Sequence, residues 1–383
     1  MTAVPQSHQA WQRRMRSFAL ERIAPYAERM DREGEFADEV NSALREEGLW
    51  GATVAQAYGG LGLDTLSYAI LIEEVGRVCG STCLMLAAHC SLGCAPIQSF
   101  GTDDQKRRYL PRAAKGELLA FGLTEPQAGS DAGATLTKAR KQADGSWLIH
   151  GTKCWCTNAT RAFAHVVTAR LDDSPGTGSI TNFILEPSMP GFKTGKKEDK
   201  MGLRGSDTAF LHFDDLRVPD AQRLGGEGQG FKQFMSTLDG GRISIGAMAV
   251  GLGQGALDVA LRYAAEKKEH GEPLAARQCI QFQLADMETQ TVAARLLVMQ
   301  AAQMKDRGER FGPYSAMAKL FASEAGRFCT YTGIGILGTD GCSRQYPVER
   351  FFRDVKLCEI GEGTSEIQRL VISRELLRSR ETS

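Results

Sequence analysis

The chain has 383 residues, 42% hydrophobic and 24% charged, with 46 basic and 46 acidic side chains and a net charge of zero. This is the balance of a folded chain of two or three domains. It excludes a net-acidic disordered protein and the basic footprint of a general nucleic-acid binder. Glycine is in excess, at 42 residues without a collagen-like period, which points to turns and close backbone approaches.

The first eighteen residues lack the apolar stretch of a signal peptide. Residues 1–120 then read as helical. Arg14 to Glu33 places Phe18, Ile23, Tyr26 and Met30 at roughly helical spacing, with Pro25 at a helix start or kink. Asp38 to Glu47 ends before Gly48, and Leu66 to Val78 and Gln105 to Ala114 repeat the pattern. Residues 121–229 change period. Ala209, Leu211 and Phe213 alternate with Phe210, His212 and Asp214; Phe163 to Arg170 and Ile180 to Glu186 are further strands, near turn signals at Asp144-Gly145 and Pro190-Gly191. This part reads as a small antiparallel β domain, and Lys193 to Arg204 as a solvated basic loop. Residues 230–383 return to helical period over Arg242–Lys268, Leu284–Arg307, Tyr314–Tyr331 and Ser365–Arg380. Helices, strands, then helices make an α+β chain with segregated layers. Ile243 to Leu261 is long and apolar, but Ser244, Gln254 and Asp258 make it a buried helix rather than a membrane span. Ten cysteines in a long chain without a leader point to free thiols and a cytoplasmic setting.

Two stretches fit a dinucleotide-binding glycine pattern, Gly251-Leu-Gly253-Gln-Gly255-Ala256 and Gly333-Ile-Gly335-Ile-Leu-Gly338. That motif needs a preceding strand and a tight turn into a helix, and neither site has them. The first reads as a helix–helix contact and the second as a helix end and loop. Cys79 and Cys83, like Cys90 and Cys94, stand four apart, yet their Ala, Leu and Met neighbours make them buried small hydrophobes rather than metal ligands. Cys154 and Cys156 flank Trp155 and on a strand share one face. His89, His165 and His212 read as packed structural residues, and no metal site is expected. In Ile360-Gly-Glu362-Gly-Thr364-Ser365-Glu366-Ile-Gln368, Ser365 and Gln368 have capping-box spacing, and the N–H groups of that helix start suit a phosphate or cofactor oxygen. Glu362 between two glycines is either a carboxylate that a ligand approaches closely or an acid favoured by the helix dipole.

Several segments together resemble the acyl-CoA dehydrogenases. They are Leu123-Thr-Glu-Pro126-Gln-Ala-Gly129-Ser130-Asp131, Gly151-Thr-Lys-Cys-Trp155-Cys-Thr157-Asn158-Ala159, Met201-Gly-Leu-Arg204-Gly-Ser206-Asp-Thr208, Gly226-Glu-Gly-Gln-Gly230-Phe231, Tyr346-Pro-Val-Glu349-Arg350-Phe-Phe-Arg353-Asp354, and Glu362-Gly-Thr364-Ser365-Glu366-Ile-Gln-Arg369. The resemblance implies an N-terminal helical domain, a middle β domain and a C-terminal four-helix bundle. It implies an FAD-dependent α,β-dehydrogenation of an acyl thioester, on CoA or a carrier protein, with an electron-transfer flavoprotein as acceptor and a homotetrameric assembly. Glu362 then corresponds to the base that removes the α-proton while the β-hydride passes to flavin N5. The backbone N–H of the base residue and a flavin hydroxyl polarise the thioester carbonyl.

The resemblance further places Leu123 and Thr124 at the flavin pyrimidine, Ser130 at the pyrophosphate and substrate, Trp155 against the flavin and Thr157 facing N5. Thr364 and Glu366 fall at the flavin and its adenosine portion. Lys267, Gln278 and Gly338 belong to the FAD contact made across the subunit interface. Asp239, Arg242, Gly361 and Gly363 line the thioester. Some relatives draw their base from near Gly241, which has no side chain here. Lys267 and His270 stand where Arg and Phe are usual, and Gly335-Ile-Leu-Gly338-Thr339 replaces the usual Gln-x-x-Gly-Gly, which implies a weaker or a different hold on the adenosine end. Gly361 replaces an aromatic residue, and Cys156 a larger aliphatic one. A flavin oxygenase or oxidase on the same fold is the alternative reaction. A non-catalytic thioester binder conflicts with Glu362, and a nicotinamide dehydrogenase with the strandless glycine motifs.

Overall fold

The computed structural model describes residues 4–171 and 176–381. Helix α1 (Gln9–Phe18) passes through a π-turn at Ala19–Ile23 into α2 (Ala24–Glu33), which carries Pro25 in its first turn. The wider π-turn relieves the clash between a proline ring and the carbonyl four residues back. Gly34 ends α2 at φ 70°, and α3 (Asp38–Glu46) stops before Gly48 at φ 68°. After α4 (Thr65–Gly76), the π device recurs: α5 (Gly80–Ala87) runs through Ala88–Cys94 into α6 (Ala95–Phe100), with Pro96 in its first turn. The reading of residues 1–120 as helical and of these cysteines as buried small hydrophobes covers this apolar stretch, but it marks no separate helix here, because the residues show no polar face to set a period. Helix α7 (Asp103–Ala114) opens on a capping box between Thr102 and Gln105.

The sheet strands are β1 (Leu118–Gly122), β2 (Lys138–Lys141), β3 (Trp147–Thr157), β4 (Ala162–Leu171), β5 (Ile180–Leu185), β6 (Phe192–Lys197), β7 (Thr208–Val218) and β8 (Arg223–Leu224). Their order is β6-β7-β3-β2-β4-β5-β8, with β1 beside β4. The sheet is mixed rather than wholly antiparallel: β1 and β2 both run parallel to β4, because long excursions of chain return each in the same direction. The alternation over 209–213 holds, with Ala209, Leu211 and Phe213 buried. The basic segment is only partly a loop. Lys193, Lys196 and Lys197 lie on β6, and Lys200 bonds the Ser206 carbonyl at 2.8 Å. His212 is exposed and paired with Thr152 at 3.2 Å, whereas His89 and His165 are buried as expected.

Helix α8 (Gly230–Glu266) is the axis of the C-terminal region. A short hairpin of β9 (Lys268–Glu269) and β10 (Glu272–Pro273) leads to α9 (Gln278–Asp306), α10 (Gly312–Leu337), α11 (Val348–Ile360) and α12 (Ser365–Glu381). Its glycine motif serves packing: a Cβ on Gly251 or Gly255 would overlap the carbonyl of Glu73 or Arg77 at the end of α4. The second motif closes α10, and Gly338 turns the chain at φ 61°. Gly80–Phe100 and α8 are apolar enough to span a membrane, but most of each apolar window is buried inside the fold. All ten cysteines are unpaired, with only Cys279 and Cys342 exposed, and the described residues hold no cluster suited to a metal ion.

Candidate active site

The Glu362 carboxylate lies where α8, α10 and the α11–α12 turn meet. Its backbone is left-handed at φ 54°, followed by Gly363 at φ 95°. For a non-glycine residue that conformation is strained and persists only where the surroundings hold it. Two side chains do so. Lys319 of α10 donates from Nζ to the Gly363 carbonyl at 2.6 Å, and Gln368 of α12 donates to the same oxygen at 2.8 Å and to the Glu362 carbonyl at 3.3 Å. Gln368 therefore does not form the expected capping box with Ser365. Thr364 caps α12 instead, accepting from the Ile367 N–H at 3.3 Å. The carboxylate packs on Gly241, where any Cβ would overlap it.

Burial dominates the electrostatics of this corner. It pushes the Glu362 carboxyl up to about 8, against the opposing pull of Arg242 and Lys319. Oxygen Oε2 is shut from solvent and has no hydrogen-bond partner. Arg242 is 2% exposed and reaches Asp239 at 2.5 Å, while its Nε stays unpartnered. Burial lowers the Arg242 guanidinium and raises the Asp239 carboxyl from their ordinary values. Gly361 is different in character: φ is −65°, and a Cβ there would meet only Leu357, at an ordinary 3.5 Å.

A second group of the predicted residues gathers on the sheet. Between Lys153 and Cys156, β3 gains one residue over β7, and at this bulge Trp155 takes φ 58°. Cys154 and Cys156 stay buried, and the Trp155 indole turns outward, 58% exposed. Thr157 ends the same strand. The Leu123–Thr124 segment lies alongside: the Cys154 N–H donates to the Thr124 carbonyl at 2.9 Å. Beneath them is a buried network that sequence reasoning did not find. Lys153 Nζ donates to Glu125 at 2.7 Å, Thr135 at 2.9 Å, Thr168 at 3.0 Å and the Leu123 carbonyl at 3.2 Å. Glu125 also accepts from the N–H groups of Leu136 and Thr137 at 2.7 and 3.0 Å, closing the loop that carries Ser130. Burial raises the Glu125 carboxyl, but the Lys153 ammonium overrides it and holds it at about 2. Ser130 and Glu366 are exposed.

Lys267, Gln278 and Gly338 stand apart from this corner. Lys267 lies just beyond the end of α8 and pairs with Asp340 at 3.4 Å. The separation of 26 positions from Gly241 to Lys267 places it about 40 Å along α8 from the Glu362 carboxylate. Gln278 opens α9 and is exposed.

An α+β chain that buries a carboxylate among small residues and turns an indole outward on a strand bulge has the build of a cofactor-dependent enzyme. Family comparison is specific. Residues 5–117, 120–216 and 228–377 match the N-terminal, middle and C-terminal domains of acyl-CoA dehydrogenase. The chain is 49% identical over 366 residues to a probable acyl-CoA dehydrogenase of Bacillus subtilis, covering 95% of this chain and 96% of the relative. It is 44% identical to the mitochondrial short-chain specific acyl-CoA dehydrogenase of Mus musculus, covering 98% and 91%. The butyryl-CoA dehydrogenase structure from Megasphaera elsdenii superposes with a TM-score of 0.95 at 40% identity, over 98% of this chain and 100% of that one. The chain belongs to the acyl-CoA dehydrogenase family, and it is an FAD-dependent oxidoreductase that dehydrogenates an acyl thioester. The residues present fit FAD. Trp155 offers a flat apolar face, a Cβ at Gly129 would meet open space, and the Ser365 hydroxyl and Gln368 Oε1 at the start of α12 are buried without partners.

Proposed function

We propose that Glu362 is the base that removes the α-proton of a short-chain acyl-CoA. The observation that carries this is the Oε2 oxygen: buried, unpartnered and held against the bare backbone of Gly241. A carboxylate pushed up to about 8 is a far better match for a weakly acidic α-carbon than a solvated one. Bound FAD supplies the hydride acceptor. Trp155, Thr157, Leu123, Thr124 and Ser130 hold the flavin and its phosphates, with Thr364 and Glu366 at the adenosine side. Asp239 and Arg242 position the thioester, and Gly361 and Gly363 leave its acyl end room. On this reading the Glu362 N–H, within the left-handed turn, bonds the thioester carbonyl as enolate charge develops. The CoA ester and short chain rest on the short-chain and butyryl-CoA enzymes among the relatives. Electron-transfer flavoprotein as acceptor, a homotetramer that brings Lys267, Gln278 and Gly338 to a neighbour's FAD, and a cytoplasmic setting belong to the same reading.

Anaerobic mixing of the FAD-loaded protein with a panel of acyl thioesters tests this by flavin bleaching. Butyryl-CoA is expected to bleach fastest. Glu362→Gln keeps FAD and thioester binding but loses bleaching by about 10²–10⁴-fold or more. Because the carboxylate form is required and its pKa is raised, kcat/KM falls as pH drops below about 8. Undiminished bleaching in the Gln variant sinks the assignment.

A further inference from the structure

Lys319 is the one charged residue of the Ser315–Ser323 face of α10, in a run of alanines and serines. It is 0% exposed. Its Nζ donates to the Gly363 carbonyl at 2.6 Å, and among the described residues it forms no ion pair within 4 Å. A buried cation without a contacting carboxylate is costly unless something nearby uses its charge. The charged and titratable groups around this corner are Glu362 itself, Arg242 and Asp239 from α8, Tyr68 from α4, and Cys358 and Glu359 from α11. Asp239 is already engaged by Arg242 at 2.5 Å, and Glu359 by Arg327 at 2.8 Å and Lys356 at 2.6 Å. Glu362 is the carboxylate left without a side-chain partner at Oε2.

We propose that Lys319 is a positioning residue for the dehydrogenation: anchored on the Gly363 carbonyl, it holds the left-handed Glu362–Gly363 turn and supplies a positive charge that favours the ionised form of the Glu362 carboxylate. This rests on the reading of Glu362 as the base. The charge and the hydrogen bond act through one atom, so the turn cannot relax without moving the counter-charge away from the carboxylate. Burial holds the Lys319 ammonium itself down at about 8, with Glu362 supporting its charge and Arg242 opposing it. Each of the two groups therefore steadies the ionised form of the other. When Glu362 accepts a proton, Lys319 loses that support, which favours return of the proton to solvent before the next turnover.

The test uses a probe for proton removal alone. A β-thia acyl-CoA has α-hydrogens and no β-hydrogen, so holoenzyme in heavy water exchanges its α-position without hydride loss. Exchange is followed by mass spectrometry against pH for wild type and for Lys319→Met, Lys319→Gln and Lys319→Arg, with FAD content and Tm recorded. The neutral variants are expected to load FAD. Their acid limb should move up by about one pH unit, with exchange near pH 7 down roughly tenfold and recovering at higher pH. Lys319→Arg should keep the wild-type limb or lower it, since a guanidinium stays charged throughout. An unmoved limb in a folded neutral variant, or an equal loss at every pH, overturns the proposal. Should neither neutral variant load FAD, Lys319→Arg decides alone: a limb at or below wild type supports the charge role, and a raised limb refutes it. Glu362→Gln is the control, for exchange that survives there fails the base assignment itself.

Discussion

At the scale of single residues, the chain concentrates cost in a few places and each has a consequence. Gly361 stands next to Glu362 in a conformation any residue adopts, with room for a Cβ. Gly361→Tyr should therefore fold and bind FAD, and rebuild an aromatic wall beside the base. Thioesters with branched or cyclic acyl groups are expected to lose kcat/KM while short straight ones keep it. An identical substrate profile would show that Gly361 takes no part in selection. Lys153 is the second case. Lys153→Met leaves the Glu125 carboxylate buried without its cation, a loss of about 3–5 kcal/mol. The Ser130 loop and the Leu123–Thr124 segment lose their common anchor, so FAD retention should fall together with Tm. FAD content by absorbance after gel filtration checks this, and full retention would separate the network from the cofactor. These two residues also mark what could be read beforehand. The proposed roles of Glu362, Trp155 and Thr157 were legible because their motifs are contiguous. Lys153, Lys319 and Gln368 were not, since each acts on a backbone carbonyl or a buried acid brought near only by folding. The available signal was the cost of placing a lysine in an otherwise apolar helical or strand pattern.

At the scale of elements, the periodicities located α1 to α3 and α7 because each carries one polar face. The segment from α5 to α6 is buried almost all round, so no period is legible there, and α8, whose helical period is read only from Arg242, begins at Gly230 and is largely buried too. What it does hold is small residues where backbones touch. Gly251 on α8 sits against the Glu73 carbonyl of α4, closer than any Cβ permits. Alanine is the better helix former by about 1 kcal/mol in isolation. Here the overlap is with backbone, which cannot swing aside, so Gly251→Ala should destabilise by roughly 1–3 kcal/mol or more despite its propensity. Denaturant unfolding checks the sign, and a stabilised variant would mean that α4 and α8 separate freely. Turning points were the least legible elements. The bulge that exposes Trp155 depends on a register shift between β3 and β7, and strand alternation alone cannot reveal an extra residue.

At the scale of the whole molecule, α8 spans two different jobs. Its Gly241 end packs on Glu362, and its far end delivers Lys267 about 40 Å away. No side chain covers that distance, so Lys267 cannot act on the site formed by its own Glu362. If Lys267 binds FAD, it binds the FAD of another copy. Subunit mixing decides this. Glu362→Gln chains carry an intact Lys267 and no base. Lys267→Glu chains carry the base and a reversed charge at the far end of α8. Each variant alone is expected to be inactive or to lose FAD. If the chains associate as proposed, co-refolding or co-expression gives assemblies in which some sites pair an intact Glu362 with a neighbour's intact Lys267. Activity and tightly held FAD should then return to a fraction of sites, rising with the share of Glu362→Gln chains and passing through a maximum. If Lys267 served its own chain's site, no mixture would contain a complete one, and activity would stay at the level of the separate variants. If Lys267→Glu alone retained FAD and activity in full, the ion pair with Asp340 would be a purely structural tie between the end of α8 and the Gly338 turn.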